Sequence, residues 1–331
     1  MNSRDRIAAA VNARRIICGP DNGLMCISPL KHNWAREMWE VMRANEWSAK
    51  EIGMTEDRKQ YHSKDLSGAE KTMYNKSLAF LSNLDGIQFN NLAANIGKHI
   101  TSPEVSMCIS RQIFEEAGHV DAYSLMIEAV TDNPAEIYYA FENDPIMAAK
   151  NNFITTQSQV VGKEFSKRNF AMAVVANICL EGIYFYSGFL SFYLLAKQGK
   201  MLNSADQVRY IQRDEQTHLE LFSRIYDTLQ VEYPEIFDSP FYEDLHALVH
   251  SAVNLESEWG AYIIREQFSP PVIKQYIQSL ADKRLLRIGI PPMFGVKDPL
   301  GWVESFSSVK GEKANFFETK VKSYQVGTLA W

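Results

Sequence analysis

The residues of this 331-residue chain whose types and spacing could do chemistry are acids and histidines set within apolar stretches. Glu116-Ala-Gly-His119 is one Glu-x-x-His unit, and Glu215-Gln-Thr-His218 is a second. Successive helical residues turn by about 100°, so positions three apart stand about 60° from each other and one turn along the axis. Both side chains of a unit can then reach one ion. A lone acid precedes each unit: Asp85 stands 31 residues before Glu116, and Glu181 stands 34 residues before Glu215. Four carboxylates and two imidazoles are hard oxygens with nitrogen, a donor set that suits iron or manganese better than copper, or zinc in a thiolate site. A single Glu-x-x-His is weak, since solvated pairs of this kind arise by chance. Two copies, each behind an acid in an apolar run, are far more specific. The competing reading is two unrelated solvated pairs plus two core acids neutralised by arginine, and an unpaired core carboxylate is expensive. His32, His62, His99, His246 and His250 lack such company and read as structural.

The elements that must position these side chains read as nearly all helix. Ser67-Gly-Ala-Glu70 is a capping box, and a 3.6-period run follows to about Ile96. Thr101-Ser-Pro-Glu104 opens a helix to about Val130, with Pro103 in its first turn. Asn133-Pro134 and Asp144-Pro145 start two more. Ser166 caps an apolar helix that stops at Gly199. Ser204-Ala-Asp-Gln207 reads as another capping box, leading to about Val231, and Ser239-Pro240 and Ser269-Pro270 each start a helix. No sustained strand alternation is present. Long helices with short connections predict an all-α bundle with one elongated core. Four helices each carrying part of a carboxylate–histidine set match the ligand count of ferritin-like dinuclear sites, so the expected fold is a ferritin-like bundle with additional helices. Residues 1–30 lack a clear period and are expected to form an arm, 31–305 the helical metal domain, and 306–331 a mobile tail.

Composition narrows the function. The chain is 46% hydrophobic and 22% charged, with a net charge of −6 and a pI near 5.7. That excludes disordered classes and argues against nucleic-acid or anionic-membrane binding. Cys18, Cys26, Cys108 and Cys179 form no Cys-x-x-Cys pair, so no disulfide framework or zinc ribbon is expected. The N-terminus has no apolar signal core, and a reducing cytoplasm is the expected location. The stretch from Ala171 to Ala196 is long enough for a bilayer. Its only charge, Glu181, falls near the middle, where lipid is costly for a carboxylate. A helix buried in a large soluble bundle is the better reading.

The motifs NLDGIQ, FEEAGHVDAY, LEGIYFY, QRDEQTHL, LESEWGAY, KRLLRIGI and SYQVG resemble the radical-generating small subunit of class I ribonucleotide reductase, over roughly residues 40–327. The resemblance implies that Asp85, Glu116 and His119 hold one metal and that Glu181, Glu215 and His218 hold the other. It implies two iron ions, two manganese ions or a mixed pair. It makes Tyr123 the radical tyrosine and Phe185, Phe189 and Ile211 the apolar pocket around it. Trp47 resembles the tryptophan of the electron-transfer route, and Asp214 the aspartate linking it to His119. In the tail, Tyr324 resembles the last relay residue before the partner subunit, and Glu318 a tail glutamate of the family.

The function so implied is activation of dioxygen, or of an activated oxygen species, to form and store a tyrosyl radical on Tyr123. The radical then passes to a large subunit that reduces ribonucleotides to deoxyribonucleotides. A homodimer is implied by the same resemblance. The chain ends at TLAW, seven residues beyond Tyr324, where family tails are commonly longer; Leu329 and Trp331 are the expected anchors. Two other classes compete: a ferritin-like oxidase acting on a small molecule at its own site, and a non-catalytic iron-binding bundle. The oxidase would need an open channel and has no use for Tyr324, and the iron-binding bundle has no reason to place Tyr123, Trp47 and Asp214 together.

Overall fold

The computed structural model describes residues 3–21 and 23–307. Fourteen α-helices form there: α1 (Ser3–Ala13), α2 (Asn33–Ala44), α3 (Thr55–His62), α4 (Gly68–Asn91), α5 (Pro103–Val130), α6 (Pro134–Tyr138), α7 (Pro145–Ser158), α8 (Val160–Lys163), α9 (Lys167–Cys179), α10 (Tyr186–Lys197), α11 (Leu202–Glu232), α12 (Ser239–Ile263), α13 (Pro270–Arg287) and α14 (Val303–Ser307). Among the described residues the sole β feature is an isolated bridge between Ile17 and Ile100. The 31 residues of α11 make a rod of about 45 Å. Around it stand α4, α5 and the α9–α10 pair, packed against one another. Outside them, α2 covers α5 and α11, α7 lies on α4 and α9, and α12 and α13 close the far side.

Local chemistry explains most boundaries. Ser67 Oγ accepts from Glu70 N while Glu70 Oε2 accepts from Ser67 N, so both ends of the expected capping box are made at α4. Ser102 caps α5 ahead of Pro103, Asp144 caps α7 through Ile146 N and Met147 N, and Ser166 caps α9. After α10, Gly199 adopts φ +73°. Lys200 N then donates to Leu195 O and Gly199 N to Ala196 O, the doubled closure that a left-handed residue permits.

Three boundaries differ from the sequence-based expectation. Ser204 does not cap α11, which starts at Leu202 behind Met201 at φ +49°. The first amides of the helix, which have no intrahelical partner, are met from another helix: Asp57 of α3 accepts from Asn203 N at 3.2 Å and from Ser204 N at 2.6 Å. A carboxylate supplied across the fold leaves no mark near position 204. The N-terminal arm contains a helix, α1, whose exposed surface gives it no apolar period. Ile16 and Ile17 beyond it are fully buried. Finally, the apolar stretch is not one α-helix. It breaks at Leu180–Tyr184, a π-helical turn between α9 and α10. Of the most apolar window in Lys167–Lys197, 89% is buried inside the bundle.

Candidate metal centre

Asp85 comes from α4, Glu116 and His119 from α5, Glu181 from the π-helical turn, and Glu215 and His218 from α11. All six side chains are essentially without solvent contact. Two overlapping groups of ligand atoms, each within 4.8 Å of one another, are formed: Asp85, Glu116, His119 and Glu215, and Glu116, Glu181, Glu215 and His218. Glu116 and Glu215 belong to both, which places one carboxylate of each Glu-x-x-His unit between two positions. His119 Nδ1 lies 3.0 Å from Glu215 Oε1, and His218 Nδ1 lies 2.8 Å from Glu215 Oε2 and 3.3 Å from Glu116 Oε1.

Both oxygens of Asp85, Glu116 Oε2, Glu181 Oε2, Glu215 Oε1 and His119 Nδ1 have no hydrogen-bond partner. Buried polar atoms are almost always satisfied, and a convergent set that is not calls for an ion. Four carboxylates with two neutral imidazoles carry four negative charges, the number that two divalent cations neutralise. The donor set therefore fits a pair of divalent metals. Its electrostatics agree. Burial, then the charges of Glu215 and Glu116, push the Asp85 carboxyl well above the usual carboxylate range, and the same causes raise Glu181. Burial works to raise Glu215 too, yet His119 and His218, which the surrounding carboxylates raise well above their ordinary value against the effect of burial, act as imidazolium cations until a metal displaces the proton and hold it well below that range.

Each imidazole is backed by a carboxylate on its outer nitrogen. His119 Nε2 faces Asp214 Oδ2 at 3.3 Å, and that oxygen also accepts the indole N–H of Trp47 at 2.7 Å. Trp47 thus joins the cluster through Asp214, and its ring stacks over Tyr210 with centroids 5.2 Å apart. His218 Nε2 faces Glu115 Oε2 at 2.9 Å, and Arg111 Nε donates to Glu115 Oε1. Such partners fix the imidazole tautomer and raise its basicity. Glu115 is a residue that sequence reasoning missed. Its signal was present, since both units carry an acid directly before their glutamate: Glu115-Glu116 and Asp214-Glu215. The backing is exchanged between helices, α11 serving the histidine of α5 and the reverse.

A second missed group is amide. Gln88 Nε2 and Gln112 Nε2 both donate to Glu181 Oε1, the latter at 2.8 Å. Gln88 Nε2 also donates to Asn177 Oδ1 at 2.9 Å. Gln112 stands four residues before Glu116 and Gln88 three after Asp85, so helical spacing alone pointed them inward.

Tyr123 is fully buried and its hydroxyl has no hydrogen-bond partner. Burial, then the charges of Asp85, Glu215 and Glu116, raise the phenol well above its ordinary value, so it stands within the field of the cluster. Phe185, Phe189 and Ile211 are buried. The two phenylalanine rings stack with centroids 5.5 Å apart. Glu318 and Tyr324 lie outside the described residues.

Comparison with known proteins agrees with this geometry. The family described as ribonucleotide reductase, small chain, matches residues 24–299. The ribonucleoside-diphosphate reductase subunit beta of Treponema pallidum is 33% identical over 95% of this chain and 91% of its own length. That of Chlamydia pneumoniae is 32% identical over 92% and 91%. The ribonucleotide reductase R2 subunit from Clostridium botulinum superposes with a TM-score of 0.85 at 35% identity, over 89% of this chain and 94% of that one. This chain belongs to the ribonucleotide reductase small-chain family, whose members are all-α, ferritin-like, dinuclear-metal oxidoreductase subunits that work with a large subunit.

Proposed function

We propose that Asp85, Glu116, His119, Glu181, Glu215 and His218 would hold two iron or two manganese ions, or one of each, Glu116 and Glu215 belonging to both ligand groups, and that Tyr123 stores the radical this family passes to its large subunit. The observation that carries the reading is the convergence of partnerless buried oxygens from four separate stretches of chain. When bound, the metal pair supplies the oxidising power that dioxygen or a reduced oxygen species brings.

The rest is done by the chain. Tyr123 would give one electron to the metal pair and, because a buried cationic phenol is prohibitively costly, its proton as well, to a basic oxygen of the cluster, where Asp85 is the carboxylate that acts most strongly on the phenol. The phenol is sealed from bulk solvent and no protein group donates to its oxygen, so dissolved reductants would not reach the neutral radical. Phe185, Phe189 and Ile211 serve as the dry wall, since a dense apolar interior keeps out water and small reductants. Trp47 and Asp214 supply the way out. The indole N–H already points at Asp214 Oδ2, so the carboxylate can hold the indole proton in place while Trp47 yields an electron. Tyr324 and Glu318 in the tail are the proposed last steps toward the large subunit. We propose further that the protein is a cytoplasmic homodimer. The Trp47–Asp214–His119 link favours this reading over a small-molecule oxidase or an iron store, which need no conductor leading away from the metals.

The test is metal-free protein loaded with Fe(II) without oxygen and then exposed to it. Electron paramagnetic resonance is expected to show a tyrosyl signal that disappears in Tyr123→Phe. Metal oxidation with no radical in the wild-type protein overturns the proposal.

A further inference from the structure

Glu181 is the one proposed ligand carried by a turn that is not α-helical. Wide turns of this kind occur at functional sites, and a break in the helical ladder has an identifiable cause. Here three helices that supply no ligand each send one side chain to the backbone of that turn or of the first residues beyond it. Lys150 of α7 donates to Tyr184 O at 3.2 Å. Arg284 of α13 donates to Gly182 O at 3.1 Å, and its Nη2 to the Tyr186 hydroxyl at 2.7 Å. Glu256 of α12 accepts from Ser187 N at 2.9 Å. In an uninterrupted α-helix that N–H would donate to Ile183 O. Lys150 and Glu256 are themselves paired, so one ion pair holds a carbonyl at the end of the turn and an amide just beyond it.

The packing around the turn is built to admit these groups. A Cβ at Gly182 would lie 3.0 Å from Arg284 Cγ and Nε, so the guanidinium stem rests directly on the glycine backbone. A Cβ at Gly260 would lie 2.5 Å from Ser187 Oγ, so α12 approaches α10 closely enough for Glu256, one turn earlier, to reach the Ser187 amide. The Lys150 ammonium sits 3.6 Å above the Phe80 ring centroid, with Trp259 also beside it. Both partners of the pair are entirely without solvent contact. Burial pulls Lys150 down to about 8 and pushes the Glu256 carboxyl up. A fully buried ion pair is a poor source of stability compared with apolar side chains of the same size. Its use must lie in what it fixes.

We propose that Lys150, Glu256 and Arg284 are positioning residues that hold the turn Leu180–Tyr184 in its wide form and thereby set Glu181 at the second metal position. This rests on the metal reading given above. Without the clamp the segment closes toward a regular helix, and Glu181 rotates out of register with Glu116, Glu215 and His218. The Asp85 side of the cluster, carried by α4 and α5, is untouched.

The test uses the full-length metal-free chain titrated with Mn(II) alone under anaerobic conditions, with electron paramagnetic resonance reading free and bound ion. Wild-type protein is expected to take up two ions per chain. The double variant Lys150→Met/Glu256→Met exchanges the pair for apolar groups of similar size, and should keep its helix content and melt close to wild type. It should hold one ion as wild type does and the other about 10–100-fold more weakly. Adding Asp85→Ala should then remove the remaining ion. A double variant that binds both ions as wild type, or weakens both equally, overturns the clamp. If the double variant does not fold, Arg284→Met, which removes the donor to Gly182 O, is expected to show the same one-sided loss, and two unaltered ions there overturn the proposal. A wild-type chain that takes up fewer than two ions refutes the underlying metal reading instead.

Discussion

The carboxylates behind the two imidazoles make similar contacts to their histidines but differ in what else they touch, and substituting each by its amide separates two functions. Asp214→Asn and Glu115→Gln keep side-chain size and remove a charge. Asp214 Oδ2 stands 3.3 Å from His119 Nε2, and Glu115 Oε2 stands 2.9 Å from His218 Nε2. Losing such a carboxylate costs about 10–100-fold in metal affinity, or ~1.4–2.7 kcal/mol. Each variant should therefore bind one of two Mn(II) ions more weakly in a calorimetric titration. Only Asp214 also accepts the Trp47 indole, at 2.7 Å, and a hydrogen bond to a charged group contributes about 1.5–3 kcal/mol. Once both proteins are saturated with metal and mixed with the large subunit and substrate, Glu115→Gln should regain nucleotide reduction and Asp214→Asn should not. Equal recovery in the two, or equal failure, would refute the assignment of Asp214 to the transfer route.

Three further outcomes are expected. Metal-free Tyr123→Phe should melt no lower than wild type and gain up to about 1 kcal/mol, because the hydroxyl removed is buried and unpartnered; a fall of several degrees in a calorimetric scan would show that the phenol has a partner. Gly260→Ala should lose about 1–3 kcal/mol in urea unfolding, since its methyl would stand 2.7 Å from Ile273 Cγ2 as well as against Ser187. The arm should loosen in base. His32 bridges Ser102 and Glu232, and although burial opposes it, Glu104 and Glu232 raise the imidazole above its ordinary 6.5. A raised folded value means that the stabilisation is full below the unfolded value and fades as pH climbs through the folded one. Hydrogen exchange at Ile16 and Ile17 should accordingly quicken with rising pH beyond the intrinsic rate increase, and His32→Gln should remove that excess.

The proposed ligand set was legible because helical periodicity makes it so. A glutamate and a histidine three apart on one face mean something only twice over, and both copies were in view with Asp85 and Glu181 before them. Trp47 was legible only through resemblance, because its link to Asp214 joins residues 167 apart in sequence. The same periodicity hid the π-helical turn: constant rotation per residue was assumed through Leu180–Tyr184, where it fails, and the cause lies in Lys150, Glu256 and Arg284 on distant helices. Ser204 misled for a related reason, since Asp57 supplies the cap from α3. Glu115 was overlooked beside Glu116 because an acid one position away faces about 100° around the helix, and only the packing of α5 against α11 shows that His218 stands there.

The central claim is that six side chains from four stretches of this chain enclose two cations. Crystals equilibrated with Mn(II), measured on either side of the manganese absorption edge, test it most directly. Two anomalous peaks are expected, one among Asp85, Glu116 and His119 and one among Glu181, Glu215 and His218. No peak there, or a single peak remote from Glu116 and Glu215, would contradict it.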